Sequence, residues 1–97
     1  MHEYELVYII RPDLEEDGIT AVNEKVGQWV TANGGSIVKT EVWGRRKLAY
    51  PIRRHTEGTY LLQHLQFPPK SIEGLERNLK ISEEILRYLV VRADEQG

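Results

Sequence analysis

The chain has 97 residues, a net charge of −2 at pH 7 and no cysteine. A chain of this length is expected to form one domain, residues 1–97, in which folding buries only about two-thirds of the unfolded surface. The absence of cysteine excludes disulfides, thiolate-based zinc sites and a thiol nucleophile, and is typical of the reducing cytosol. The slightly acidic total means that any binding to nucleic acid must depend on local basic charge.

The N-terminal part of the sequence resembles neither an export signal nor a membrane span. Its longest apolar run, residues 6–10, is too short to cross a bilayer, and no basic stretch precedes it. We therefore expect a cytoplasmic protein without membrane association.

The first predicted elements are a strand and a helix. Apolar residues alternate over residues 4–10, which predicts a strand with Tyr4, Leu6, Tyr8 and Ile10 on one side. After Pro12, apolar positions recur mostly at steps of three and four, the spacing of one helix face. These positions are Leu14, Ile19, Val22, Val26, Trp29 and Val30. Glycines at 34 and 35 end this helix, because glycine readily adopts the left-handed conformation that closes helices.

Two β-prone segments come next. Residues 36–52 are rich in β-branched and aromatic side chains, and Gly44 in their middle indicates a bulge or bend. Residues 55–58 are predicted to form a loop. Residues 59–67 alternate again and form a third strand, which the two prolines at 68 and 69 end.

The last two elements complete a recognisable order. Prolines suit a helix start, and Ile72, Leu75 and Leu79 give the following helix an apolar stripe. Residues 85–92 form the last strand. The resulting order βαββαβ predicts an α+β, ferredoxin-like sandwich, in which a four-stranded antiparallel sheet carries two helices on one face.

Two helices cover only one face of such a sheet, so the other face is open to solvent or to a partner. If Tyr4 and Leu6 point to the helices, apolar residues of three strands remain on the open side. We predict a partner-binding surface made of Val7, Ile9, Tyr60, Leu62, His64, Leu89 and Val91. An exposed apolar patch usually marks an interface, although scattered exposed apolar side chains also occur on ordinary surfaces.

The segment between Lys39 and Arg54 is strongly basic. It carries six basic residues against one acidic residue, a local charge of +5. On an extended hairpin these groups can follow a phosphate backbone, while Trp43 and Tyr50 offer faces for stacking or for protein contact. The alternative is a solvated strand edge whose cations discourage edge-to-edge aggregation.

The order of residues within this segment favours contact with a phosphate backbone over a solvated strand edge. Residues 43–52 read Trp-Gly-Arg-Arg-Lys-Leu-Ala-Tyr-Pro-Ile and resemble the signature segment of the bacterial small-subunit (30S) ribosomal protein six family. The opening Tyr4-Glu5 strand, residues 57–60 and residues 85–92 resemble that family as well. The resemblance implies a ferredoxin-like ribosomal protein that binds the central domain of 16S ribosomal RNA together with small-subunit ribosomal protein eighteen during assembly. A basic partner then supplies much of the phosphate neutralisation, which reconciles RNA binding with an acidic chain.

Seven basic residues are candidates for RNA contact on this resemblance. Arg45, Arg46 and Lys47 of the signature segment come first, followed by Arg53, Arg54, Arg87 and Arg92 near strand ends or on exposed faces. Successive strand side chains point to opposite faces. Arg45 and Lys47 are therefore expected on one face and Arg46 on the other, unless Gly44 shifts the register.

Two other classes of function remain as alternatives, a small enzyme and a protein-only interaction module or dimer. The loop after the first strand is acidic and would repel an anionic substrate, since it holds Asp13, Glu15, Glu16 and Asp17. The three histidines, His2, His55 and His64, show no metal-ligand spacing. We expect no catalytic residue, metal, cofactor or small-molecule substrate.

Overall fold

The computed structural model describes residues 1–93, so the last four residues of the predicted domain 1–97 lie outside the described part. Its elements are β1 (His2–Ile10), α1 (Glu16–Ala32), β2 (Ser36–Ile52), β3 (His55–Phe67), a 3-10 turn (Pro69–Ser71), α2 (Ile72–Ile81) and β4 (Ile85–Arg92). All strand pairs are antiparallel, and the sheet order is β2-β3-β1-β4. The predicted ferredoxin-like α+β sandwich is confirmed. Within residues 1–93, no helix is long and apolar enough to cross a membrane.

The core lies between the two helices and one face of the sheet. The predicted apolar side of β1 is buried there, with Leu6, Tyr8 and Ile10 each 0% exposed. The residues that pack on this side from the helices are Val22, Val26, Val30, Leu75 and Leu79. Because a β-strand alternates its side chains, burying these residues of β1 turns Val7 and Ile9 to the other face of the sheet.

Three hydrogen-bonded polar side chains in the core join α1 to the sheet. The Tyr8 hydroxyl donates a hydrogen bond to Asn23 Oδ1 over 2.7 Å, and Gln63 Nε2 donates to the same oxygen over 2.7 Å. Burial raises the pKa of the Tyr8 phenol well above its usual range. The three side chains form one hydrogen-bonded cluster inside the core, where an unpaired polar group is costly, and among the described residues the buried Gln63 Oε1 has no hydrogen-bond partner.

The connection between β2 and β3 differs from the sequence-based expectation. The prediction of a loop over residues 55–58 is wrong, because β3 begins at His55 and only Arg53 and Arg54 form the turn. Both turn residues have positive φ values, +48° and +71°, as in a type I′ hairpin turn. Such turns usually contain Asn-Gly, so the two arginines gave no turn signal.

Gly58 lies inside β3 for a packing reason. A Cβ atom at this position would lie 2.3 Å from Cγ2 of Ile9, on the neighbouring strand. Only a glycine therefore allows the two strands to pair here in the observed register, although in the sequence the same glycine indicates a loop.

The β2–β3 hairpin extends beyond the end of the sheet. Ile10, the last residue of β1, pairs with Thr59, whereas the β2–β3 ladder continues to the pair Ile52 and His55. We call residues 45–58 the arm. The predicted bulge at Gly44 is confirmed: the register shifts between Val42 and Gly44, and Gly44 has a φ of +87°, a conformation that glycine adopts without strain.

Candidate RNA and partner interface

The sheet face opposite the helices, here called the open face, collects the seven predicted partner-binding residues. Directly paired residues of neighbouring strands share a face, which defines rows across the sheet. The rows are Leu62, Val7 and Leu89; Tyr60, Ile9 and Arg87; and His64, Glu5 and Val91. Arg87 and Glu5 therefore lie among the apolar residues, which gives this face charged groups at both ends.

Exposure on the open face is uneven. Ile9 and Leu62 are each only 7% exposed, since they lie on the two central strands and are covered by neighbours on both sides. Leu89 is 60% exposed and Val91 is 37% exposed, both on the edge strand β4. The apolar surface offered to a partner therefore runs mainly along β4.

Two carboxylates flank His64 on the open face, Glu5 in the row farthest from the arm and Glu41 in the middle row. His64 Nε2 lies 2.8 Å from Glu41 Oε2, and His64 Nδ1 lies 3.8 Å from Glu5 Oε2. The hydrogen bonds from the His64 ring and, more weakly, from the Trp43 indole hold the pKa of Glu41 below its usual value. Glu41 is therefore ionised at neutral pH, and with Glu5 it gives the surroundings of His64 negative charge, which Lys39 partly offsets because its Nζ lies 3.8 Å from Glu41 Oε2.

Two of the predicted RNA-binding arginines hold the arm against the rest of the domain. Arg45 donates a hydrogen bond to the Pro12 carbonyl and lies 3.8 Å from the Glu57 carboxylate. Arg53 donates to the Glu83 carbonyl over 3.2 Å. Sequence reasoning missed the two hydrogen bonds to carbonyl groups because each joins residues at least 30 positions apart.

All five lysine and arginine residues of the arm are exposed, including Arg46, Lys47 and Arg54. Arg46 pairs with Gly58 on the side of the open face, and its guanidinium lies 5.3 Å from the centre of the Trp43 ring. Lys47 points to the opposite side, where it pairs with Glu57, as the strand pleat predicts. Arg54 lies exposed at the turn. The basic charge of the arm is thus divided between two sides and the tip.

The two candidate arginines of β4 lie far from each other. The Arg87 guanidinium lies 5.3 Å from the centre of the Tyr50 ring, so it adjoins the arm. Arg92 is five residues farther along the strand, about 17 Å away, and contacts the His2 ring. The structure therefore brings Arg87 together with the arm and leaves Arg92 at the opposite end of the sheet.

The described residues offer an open sheet face and an exposed basic arm as binding surfaces. Within residues 1–93, no group of three or more histidine and carboxylate side chains is arranged to hold a metal ion. A ferredoxin-like sheet with an open apolar face and a basic arm defines a small protein of the binding class.

Comparison with known proteins identifies the family. The family model described as Ribosomal protein S6 matches residues 3–92. A small ribosomal subunit protein bS6 of Moorella thermoacetica is 43% identical over 97 residues, covering 100% of this chain and 99% of the relative. The homologous protein of Heliobacterium modesticaldum is also 43% identical, over 96 residues, covering 99% and 100% of the two chains. The chain belongs to the ribosomal protein S6 family.

Solved structures agree with this assignment. The crystal structure of 30S ribosomal protein S6 from Thermotoga maritima superposes with a TM-score of 0.90 at 28% identity, covering 97% of this chain and 89% of the other. The C-terminal domain of the MgtC protein from Mycobacterium tuberculosis gives 0.67 at 17% identity, covering 100% and 93% of the chains, and shares the fold alone. Members of the S6 family are structural, non-enzymatic components of the small ribosomal subunit. This confirms the expectation of a non-enzyme and a cytoplasmic, ribosome-associated location.

Proposed function

We propose that this protein binds the central domain of 16S ribosomal RNA together with small-subunit ribosomal protein eighteen during assembly. The observation that carries the proposal is the arm, because residues 45–58, with five lysine and arginine residues against one acidic residue, extend beyond the sheet beside the apolar open face. A protruding basic hairpin reaches a phosphate backbone, while the sheet behind it remains available to a protein.

The arm supports RNA binding through a few placed cations. Arg46, Lys47 and Arg54 are exposed, and Arg87 lies beside them at Tyr50. So small a footprint on a chain of net charge −2 gives weak binding by itself. A strongly basic partner bound to the same RNA raises the total number of phosphate contacts and hence the affinity.

The open face supports the protein partnership. Exposed Leu89 and Val91 form an apolar strip, and the carboxylates of Glu5 and Glu41 lie on the same face. Apolar surface beside negative charge suits a basic partner, since electrostatic complementarity selects the partner and steers its approach.

The RNA half of the proposal is tested by salt titration. Binding of a central-domain 16S RNA fragment is measured with and without the partner protein over a range of salt concentrations. Log affinity should fall linearly with log salt, and Arg46→Ala or Lys47→Ala should reduce the slope by about 1 each. Arg77→Ala, a change at an exposed arginine of α2, is the control and should leave the slope unchanged. Tight RNA binding without the partner would contradict the partner-dependent proposal.

The protein half is tested on the open face. Leu89→Asp should weaken partner binding by about tenfold or more, because it buries a carboxylate among apolar contacts. Ile81→Asp is the control, since Ile81 is also an exposed apolar residue, at 74%, but lies at the end of α2. Partner binding without any RNA affinity would instead support a protein-only interaction module.

A further inference from the structure

The indole of Trp43 is exposed but held in a defined orientation. Trp43 is 40% exposed and does not belong to the core cluster. Its ring nitrogen donates a hydrogen bond to Glu41 Oε1 over 3.4 Å, and the Arg46 guanidinium lies 5.3 Å from the ring centre. One contact fixes the edge of the ring and the other lies over the ring, so the indole is oriented without being buried.

The surroundings of this ring are open. Apart from its chain neighbours Trp43 and Arg45, Gly44 has no described heavy atom within 4 Å of the position where a Cβ would be. Gly44 pairs with Tyr60, which pairs with Ile9 on the open face. Trp43 therefore lies at the junction between the arm and the open face, and its 40% exposure leaves part of the ring accessible to a flat group.

We propose that Trp43 and Arg46 form a binding site for one unpaired nucleobase of the RNA. The inference rests on the proposed RNA-binding function and adds the kind of RNA group that this site takes. A nucleotide has both parts that the site fits: a flat base that stacks on an indole, and a phosphate that pairs with a guanidinium. A base inside a duplex has both faces covered by its neighbours, so the site requires a bulged, looped or terminal base.

The site gives the arm a second mode of recognition. Lys47 and Arg54 bear charges that any phosphate satisfies, so they contribute no preference for paired or unpaired RNA. Trp43 contributes that preference because stacking needs an accessible base face. The arm therefore selects RNA by shape as well as by charge.

The test compares two RNAs that differ only in one unpaired base. The full-length chain at low salt is titrated with an RNA hairpin that carries a single adenine bulge and with the same hairpin fully paired. The wild-type chain should bind the bulged RNA more tightly. Trp43→Leu should weaken binding to the bulged RNA by roughly 5- to 100-fold, the range for loss of one stacked base, and should leave the paired RNA unaffected. Trp43→Phe should retain most of the preference.

Three readouts separate stacking from loss of charge or fold. The salt slope of Trp43→Leu should equal that of the wild type, because the substitution removes no cation. In a Trp29→Phe background, Trp43 is the only remaining tryptophan, and its fluorescence should be quenched on binding bulged RNA. The unfolding midpoint of Trp43→Leu should stay unchanged, since the side chain lies outside the core.

Each outcome decides a different claim. If the wild-type chain binds neither these hairpins nor the central-domain 16S fragment, with or without the partner, the proposed function fails. If it binds both RNAs with the expected salt slope but Trp43→Leu changes neither affinity, the nucleobase site is refuted while RNA binding stands. If Trp43→Leu weakens only the binding of the protein partner, the ring is a protein contact and the nucleobase site is again refuted.

Discussion

The contact between Gly58 and Ile9, where the arm leaves the sheet, yields a sharp stability prediction. Gly58→Ala adds a Cβ that would lie 2.3 Å from Ile9 Cγ2, far inside the normal carbon–carbon contact of about 3.5–4.0 Å. Relieving such an overlap in a packed strand pair costs about 1–3 kcal/mol. The gain from replacing glycine in a strand, about 0.5–1 kcal/mol, offsets only part of it. We expect net destabilisation.

Removing the opposing methyl group should remove most of that cost. Ile9→Ala alone destabilises the protein by about 2–4 kcal/mol through lost burial. In the Ile9→Ala background the nearest remaining atoms to the new Cβ are the Ile10 carbonyl oxygen at 3.2 Å and the Cβ of residue 9 at 3.8 Å. Gly58→Ala should then be close to neutral, which corresponds to a coupling free energy of about 1–3 kcal/mol.

The assay is a double-mutant cycle from urea unfolding, followed by tryptophan fluorescence. Gly44→Ala is the control: its cost of about 1–2 kcal/mol comes from a left-handed backbone at φ +87° and not from a clash. Because Gly44 and Ile9 lie two strands apart, their effects should be additive within about 0.5 kcal/mol. An equal cost of Gly58→Ala in both backgrounds would refute the packing argument.

Three further predictions concern the turn and the titratable groups. Arg54→Gly should raise the free energy of unfolding by about 0.5–1 kcal/mol, because relief of the left-handed strain exceeds the extra entropy of glycine in the unfolded chain; destabilisation in urea melts would contradict it. The raised pKa of Tyr8 means that the unfolded chain ionises first, so its contribution to stability is complete below about pH 10 and is lost as the pH rises above it. Tyr8→Phe should therefore flatten the alkaline decline in unfolding free energy, and an unchanged decline would refute this. The Ser82 hydroxyl donates to Glu84 over 3.0 Å and is the main cause of the lowered pKa of that carboxylate; Ser82→Ala should raise the Glu84 pKa in an NMR titration, whereas Thr31→Ala should not.

Sequence patterns predicted the elements well where periodicity is strong. The alternation in β1 and the spacing of Val22, Val26 and Val30 in α1 both match the buried positions. The hairpin turn was missed because its identity depends on backbone angles at Arg53 and Arg54 that neither residue prefers. Gly58 was wrongly interpreted as a loop residue. Its actual role is to avoid a steric clash with Ile9, which is 49 positions away in the sequence.

The candidate interface was predictable as a set of residues but not as a surface. The strand pleat sufficed to separate Arg46 from Arg45 and Lys47. It did not reveal that Arg45 and Arg53 bind carbonyl groups of distant loops, or that Arg87 joins the arm through Tyr50. Nor did it show that Ile9 and Leu62 are covered on the open face, since their exposure depends on neighbours from both flanking strands.

By itself, the sequence determined the order of elements, the apolar side of each and the basic signature of residues 43–52, because all three follow from local spacing and residue type. Only the tertiary structure decided how that basic charge is distributed. The segment forms an arm because the β2–β3 ladder continues beyond Ile10, the last residue of β1. Hydrogen bonds to residues at least 30 positions away hold Arg45 and Arg53 against the domain. Trp43 remains exposed beside Arg46 because the bulge at Gly44 places it at the edge of the open face, a consequence of strand register that no local pattern contains.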